Sequence, residues 1–92
     1  MIKSFADRNT EAVFRRKSIR KFRAFEEEAW TKLIYIDSAE ELGDLAQSPG
    51  NRLEKLKGDR KGQWSIRINK QWRICFTWKN GDAHDVEICD YH

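Results

Sequence analysis

The sequence holds one proline, two cysteines and five glycines, and it has no long hydrophobic run. Each shortage excludes something. The longest stretch without a charge, residues 45–51, is seven residues long, far below the ~20 apolar residues that a membrane-spanning helix needs. The opening Met1-Ile2-Lys3-Ser4-Phe5 lacks the apolar core of a signal peptide, so a soluble cytoplasmic protein is expected. Cys75 and Cys89 stand fourteen positions apart outside any C-x-x-C. They form no disulfide framework and read as small buried or half-buried thiols. With only His84 and His92 to join them, no zinc spacing arises, and no metal is expected. Glycine-rich phosphate loops of either common type are missing, and no cofactor is expected.

What is present fits one domain, residues 1–92. At 39% hydrophobic and 36% charged, the chain can build one small core, but not a core plus a closed cofactor cavity. Four Trp, two Tyr and five Phe are too many aromatics for a disordered chain. The net charge of +3 conceals blocks: +6 over residues 1–23, −6 over 24–45, +6 over 46–73 and −3 over 74–92. Two basic segments able to face a polyanion are therefore hidden in a modest average.

The order of elements reads as helices, then strands. Residues 2–5 form a candidate first strand. Asn9 or Thr10 is the expected N-cap of a short helix ending near Lys17. Phe22, Phe25, Ala29, Leu33 and Ile36 follow at spacings of three and four, widened by Trp30 and Ile34, and predict one amphipathic helix. Ser38-Ala39-Glu40-Glu41 reads as a capping box that restarts it, with Leu42 and Leu45 inward. Ser48-Pro49-Gly50-Asn51 ends the helical half. Residues 53–57 form an expected edge strand. Residues 63–69 alternate with Trp64, Ile66 and Ile68 inward and Ser65 and Arg67 outward. Residues 72–79 alternate with Trp72, Ile74, Phe76 and Trp78 inward, and Arg73, Cys75 and Thr77 outward. Asn80-Gly81 predicts a type I′ hairpin into a last strand over residues 84–89, with Val86 and Ile88 inward. The class is α+β, with N-terminal helices packed on one face of a small, mainly antiparallel sheet.

By parity Arg67 and Arg73 share the face opposite the helices. Tyr91 joins them if the last strand keeps its alternation, and Asp90 and His92 then face the other way; a twist of the tail is expected to gather its side chains near Arg73. A basic loop and strand (Lys57, Arg60, Lys61, Arg67, Arg73) beside Asp90-Tyr91-His92 resembles the equipment for cleaving RNA by internal transesterification. The 2′-OH needs a base, the phosphorane needs cations and the departing 5′-oxygen needs an acid. His92 titrates near neutrality and suits either proton-transfer role. The same residues also suit a solvated surface and a solvated chain end.

The block Leu53-x-x-Leu56-Lys57-Gly58-Asp59-Arg60-x-Gly62-x-Trp64-Ser65-Ile66-Arg67-x-Asn69-x-x-Trp72-Arg73-Ile74-x-Phe76, closed by Asp90-Tyr91-His92, resembles the HigB toxins of the RelE superfamily. The resemblance runs along essentially the whole chain. It implies a fold related to the microbial ribonucleases and ribosome-dependent cleavage of mRNA in the A site. The implied partners are a HigA-like helix-turn-helix antitoxin, mRNA and ribosomal RNA, with DNA reached only through the antitoxin and no membrane. The functional positions it implies fall on Lys57, Arg73, Asp90, Tyr91 and His92. Lys57 and Arg73 would stabilise the phosphorane, His92 and Asp90 would divide the proton transfers, and Tyr91 would position the nucleotide. Arg60, Lys61, Arg67 and Lys70 are expected to bind RNA phosphates. Arg15, Arg16, Lys17, Arg20, Lys21 and Arg23 form a second basic run facing either RNA or an acidic antitoxin groove. One departure stands out: Glu54 occupies a position where some members carry a basic residue, and an acid cannot neutralise phosphate. Two rival functions use the same residues, a non-catalytic RNA binder that blocks translation and an operon-regulating partner of a DNA-binding protein.

Overall fold

A computed structural model of the chain describes residues 1–90. Helix α1 spans Arg8–Phe14 and α2 spans Glu26–Ser38, and four strands follow: β1 Glu54–Lys55, β2 Trp64–Arg67, β3 Trp72–Lys79 and β4 Asp82–Asp90. The strands pair in sequence order, all antiparallel. The helices cover one face of the sheet. Val13, Phe22, Phe25, Ala29, Leu33 and Ile36 meet Ile66, Ile74, Phe76, Ala83, Val86 and Ile88 in one core. The expected α+β architecture is the observed one.

Several local expectations shift, each for a physical reason. The N-cap of α1 is Asp7, not Asn9 or Thr10; its carboxylate accepts from the Thr10 amide at 2.7 Å. Thr10 is withdrawn into the core, where its hydroxyl accepts from the Ile88 amide at 3.0 Å. The helix stops at Phe14 rather than near Lys17, because Arg16 turns to φ 65°. The apolar stripe expected to form a single helix begins as a 3₁₀ turn, Arg20–Phe25, before α2. Three residues per 3₁₀ turn put Phe22 and Phe25 on the same side, where both rings pack against Trp72 at 5.4 and 5.3 Å. The capping box lies three residues later than expected: Asp44 accepts from the amides of Glu40 and Glu41, and Glu41 caps the 3₁₀ turn Leu42–Gln47. Leu45 is buried beneath that turn, with Leu42 half-buried beside it.

The strands also have corrected ends. The edge strand shortens to two residues, β2 stops at Arg67, and β4 runs from Asp82 to Asp90. The Asn80-Gly81 turn takes positive φ at both positions, 54° and 81°, as a type I′ hairpin requires. Residues 2–5 form no strand. They make two parallel bridges to β4, Ile2 with Ala83 and Phe5 with Val86. Their backbone groups and the Thr10 hydroxyl take up the hydrogen bonds of an edge that would otherwise be open to another chain.

The pairing of β3 with β4 shifts register between Cys75 and Thr77, where Asp85 adopts φ 52°. The extra residue changes the parity of β4. Ala83 faces inward before it and Val86 and Ile88 face inward after it. This bulge sends Glu87 and Cys89 to the outer face.

Leu33 is completely buried between the sheet and the helices. Leu33→Ala is expected to destabilise the protein by about 2–5 kcal/mol through lost burial and the cavity left behind, read as a lower urea midpoint at unchanged slope.

Candidate functional site

The face of the sheet turned away from the helices carries two cross-strand rows. Register places Glu54 opposite Ser65, Ser65 opposite Cys75 and Cys75 opposite Glu87. The neighbouring row places Arg67 opposite Arg73 and Arg73 opposite Cys89. Over the first row lies an open cleft of about 690 Å³, walled by the segment from Glu54 to Arg60. Ser65, Cys75 and Cys89 form its floor, with Asp90 at one end.

The positions expected from sequence separate into three places. Lys57 is exposed on the cleft wall, just before Gly58, whose φ of 66° turns the loop. Arg60 reaches over the floor. It donates to Glu87 at 3.1 Å and to Gln63 at 3.0 Å, so an acid of the protein already engages its charge. Lys61 is exposed on the outer side of the same loop, beside a smaller hollow shared with Lys55, Leu56, Lys57 and Gly58. Asp90 pairs across the ladder with Trp72, and its carboxylate accepts from the Gln71 side chain at 3.0 Å. Tyr91 and His92 lie outside the described residues.

Arg73 is outward-facing, as parity predicts, yet only 5% exposed. Its Nε donates to the Ser65 hydroxyl at 2.7 Å, and its Nη2 donates to the Arg52 carbonyl at 2.7 Å and to the Ser65 carbonyl at 3.4 Å. It lines a second hollow, of about 210 Å³, with Arg52, Arg67, Asn69 and Lys70. Ser65 faces the cleft and binds Arg73, so this pair stands between the two concavities.

Sequence reasoning missed Ser65, Glu87 and Arg52. Ser65 was legible, since it shares the parity of Arg67 and Arg73. Glu87 was legible too, since it lies between the inward Val86 and Ile88, whereas Arg52 lines the second hollow through its turn and had no local signal. The two thiols are buried and half-buried, as expected, and both lie on the cleft floor. The hydrogen bond between them pulls Cys75 below the usual thiol range, helped by Arg60 and Arg73, and burial opposes the shift. The same bond, reinforced by burial, pushes Cys89 well above that range.

Half of the N-terminal basic run makes polar contacts within the fold. Arg15 pairs with Glu11 at 3.1 Å, and Arg16 pairs with Glu27 at 3.1 Å while its guanidinium sits 4.1 Å from the Trp30 ring centre. Arg23 donates to Ser18. Among the described residues no cluster of three or more His, Cys, Asp or Glu side chains could hold a metal ion, and no helix is long and apolar enough to cross a membrane.

A short helical half laid on one face of a four-stranded antiparallel sheet is a fold found in toxins of toxin–antitoxin complexes. Two solved YoeB–YefM toxin–antitoxin complexes from Staphylococcus aureus share it, with TM-scores of 0.63 and 0.62 at 17% and 20% identity. The match covers all of this chain and 98% of each neighbour. Residues 3–92 match the family described as the RelE-like toxin of the type II toxin–antitoxin system HigB, and the chain belongs to that family. It is 46% identical over 61 residues to the Endoribonuclease HigB of Proteus vulgaris, covering 66% of this chain and 65% of that protein. It is 45% identical over 60 residues to Toxin HigB-1 of Vibrio cholerae, covering 65% of this chain and 63% of the other. The chain thus spans just under two thirds of the length of these curated relatives.

Cys89→Ala removes the hydrogen bond that favours the Cys75 thiolate. The first thiolate titration, followed by ultraviolet absorbance, is expected to move to higher pH. An unchanged midpoint would remove that bond as the cause.

Proposed function

We propose that this protein is the toxin of a type II toxin–antitoxin pair and acts as an endoribonuclease on mRNA in the ribosomal A site. The observation that carries the reading is the cleft. It is an open trough rather than a closed pocket, it is walled by Lys57 and Arg60, and Arg73 lies behind its floor. A trough suits a continuous strand, and cations at its wall suit a phosphodiester that gains charge as the phosphorane forms. The nucleophile is the substrate's own 2′-OH, so the protein needs to supply only proton transfer and charge stabilisation. Lys57 approaches the phosphate from the wall, and Asp90 and His92 share the proton transfers. Tyr91 holds the nucleotide, and Arg73 fixes the floor and adds positive potential. The partner is a HigA-like helix-turn-helix antitoxin, through which contact with DNA is made, and the site of action is the cytoplasm. The endoribonuclease name borne by the Proteus vulgaris relative supports the reaction class.

Primer extension on mRNA after brief expression tests this. Wild type is expected to generate new 5′ ends inside messages, and His92→Ala to reduce them by about 10²-fold or more, the usual weight of a general acid or base. Arg73→Ala also removes a buried group, so its effect is read together with His92→Ala. Growth arrest by wild type without new 5′ ends would instead favour the non-catalytic binder.

Glu54 stands opposite Ser65 on the cleft wall. An acid there repels the incoming phosphate, so Glu54→His is expected to raise the cleavage rate. It should also add a limb to the pH profile near the histidine range of about 6.5. An unchanged rate and profile would make Glu54 a bystander.

A further inference from the structure

The second hollow is built differently from the cleft. Its charged residues are all cationic: Arg52, Arg67, Lys70 and Arg73, joined by Asn69. Arg67 and Arg73 are direct cross-strand partners, an arrangement that destabilises a sheet when the charges are alike. The cleft balances Arg60 with Glu87, but Arg52, Arg67 and Lys70 make no ion pair among the described residues. The field extends to α2, where burial and then the Arg67 charge lower the pKa of Lys32.

The backbone is arranged to hold this crowding in place. Arg52 takes a left-handed conformation, φ 45°, directly after the turn Pro49–Asn51. The turn is anchored from within, because buried Asn51 donates to the Leu45 carbonyl at 3.1 Å and accepts from Lys32 at 2.5 Å. The Arg52 carbonyl is held by Arg73. On the other side, the Asn69 side chain accepts from the amides of Gln71 and Trp72, both at 2.9 Å, fixing the loop that carries Lys70. Cations that repel one another on a rigid frame are pre-organised for an anion that relieves the repulsion.

We propose that Arg52, Arg67 and Lys70 form a phosphate socket, separate from the cleft, that takes a backbone phosphodiester of RNA. The socket deepens the reading of the protein as a toxin acting on RNA and rests on it. Arg67 and Lys70 leave the group of generic phosphate contacts and act with Arg52 as one site. The Ser65–Arg73 pair separates socket from cleft, so a strand held in the socket is anchored beside the reacting phosphate without crowding it. The phosphate belongs either to the mRNA next to the scissile bond or to the ribosomal RNA against which the toxin docks.

The test compares wild type with Arg52→Asn/Arg67→Gln/Lys70→Gln, in which Asn tolerates the left-handed backbone. A control of equal charge loss is Lys3→Gln/Arg8→Gln/Lys79→Gln. Binding is measured across a salt series to a fully 2′-O-methylated single-stranded oligoribonucleotide, which cannot be cleaved, and to purified ribosomes. Thermal midpoints in low-salt buffer establish that all three proteins are folded. The socket variant is expected to lose about tenfold in affinity, as for a charge-assisted contact. Its salt slope should fall by about 0.7, the share of one phosphate on a single strand. Loss on the oligonucleotide assigns the phosphate to mRNA, and loss confined to ribosomes assigns it to ribosomal RNA. Affinities and slopes matching the control overturn the proposal. Cleavage is scored separately by primer extension. Absence of new 5′ ends with wild type defeats the endoribonuclease reading, and retained RNA binding by the socket variant defeats the socket.

Discussion

Burying the Arg73 guanidinium behind the sheet demands that its donors find acceptors, because a desolvated cation left unpaired costs several kcal/mol. The fold meets this demand with the Ser65 hydroxyl, the Ser65 carbonyl and the Arg52 carbonyl. Two of these acceptors belong to β2 and one to the turn that leads into β1. One side chain on β3 therefore ties the edge of the sheet to its middle. The segment that walls the cleft departs from that tie, so the placement of Lys57 and Arg60 depends on it. Lysine at position 73 would keep the charge but lose the planar fork that reaches a hydroxyl and a carbonyl together.

The opposite edge is fixed by different means. The chain start and Thr10 occupy the outer hydrogen bonds of β4, and the bulge at Asp85 resets its parity. These features act jointly on the site. Without the extra residue, the strand that buries Ala83 would point Val86 outward and turn Glu87 toward the helices. Arg60 would then lose the carboxylate that steadies it over the cleft floor. A local irregularity at the far end of a strand thus determines the electrostatics of the cleft.

How much of this could be read from the sequence follows from how local each cause is. Alternation in β2 and β3 is a property of neighbouring residues, so the inward set and the outward Ser65, Arg67 and Arg73 were legible, as was the Asn80-Gly81 turn. The buried spacing from Phe22 to Ile36 was equally plain. Its first turn was not, because spacings of three fit 3₁₀ and α geometry alike, and contact with Trp72 decides between them. Asp7 displaced two plausible caps because Thr10 is needed by Ile88, a partner 78 positions away. Parity revealed the face of Arg73 but not its burial, which depends on the turn at Arg52. For the same reason Arg52, with no periodic pattern around it, escaped notice altogether.

The charge blocks acquire a spatial meaning from these contacts. In sequence the first and third blocks look equivalent, each at +6. In the fold two members of the first are paired on the helical layer, since Arg15 and Arg16 bond to Glu11 and Glu27 and Trp30 covers one guanidinium. The third has Arg60 neutralised by Glu87 and leaves Arg52, Arg67 and Lys70 gathered on a single face. A net charge of +3 is too small to attract a polyanion strongly, but the same charges segregated on one face produce a local field that does. With Arg60 paired to Glu87, the positive charge of the outer face is concentrated at Arg52, Arg67 and Lys70.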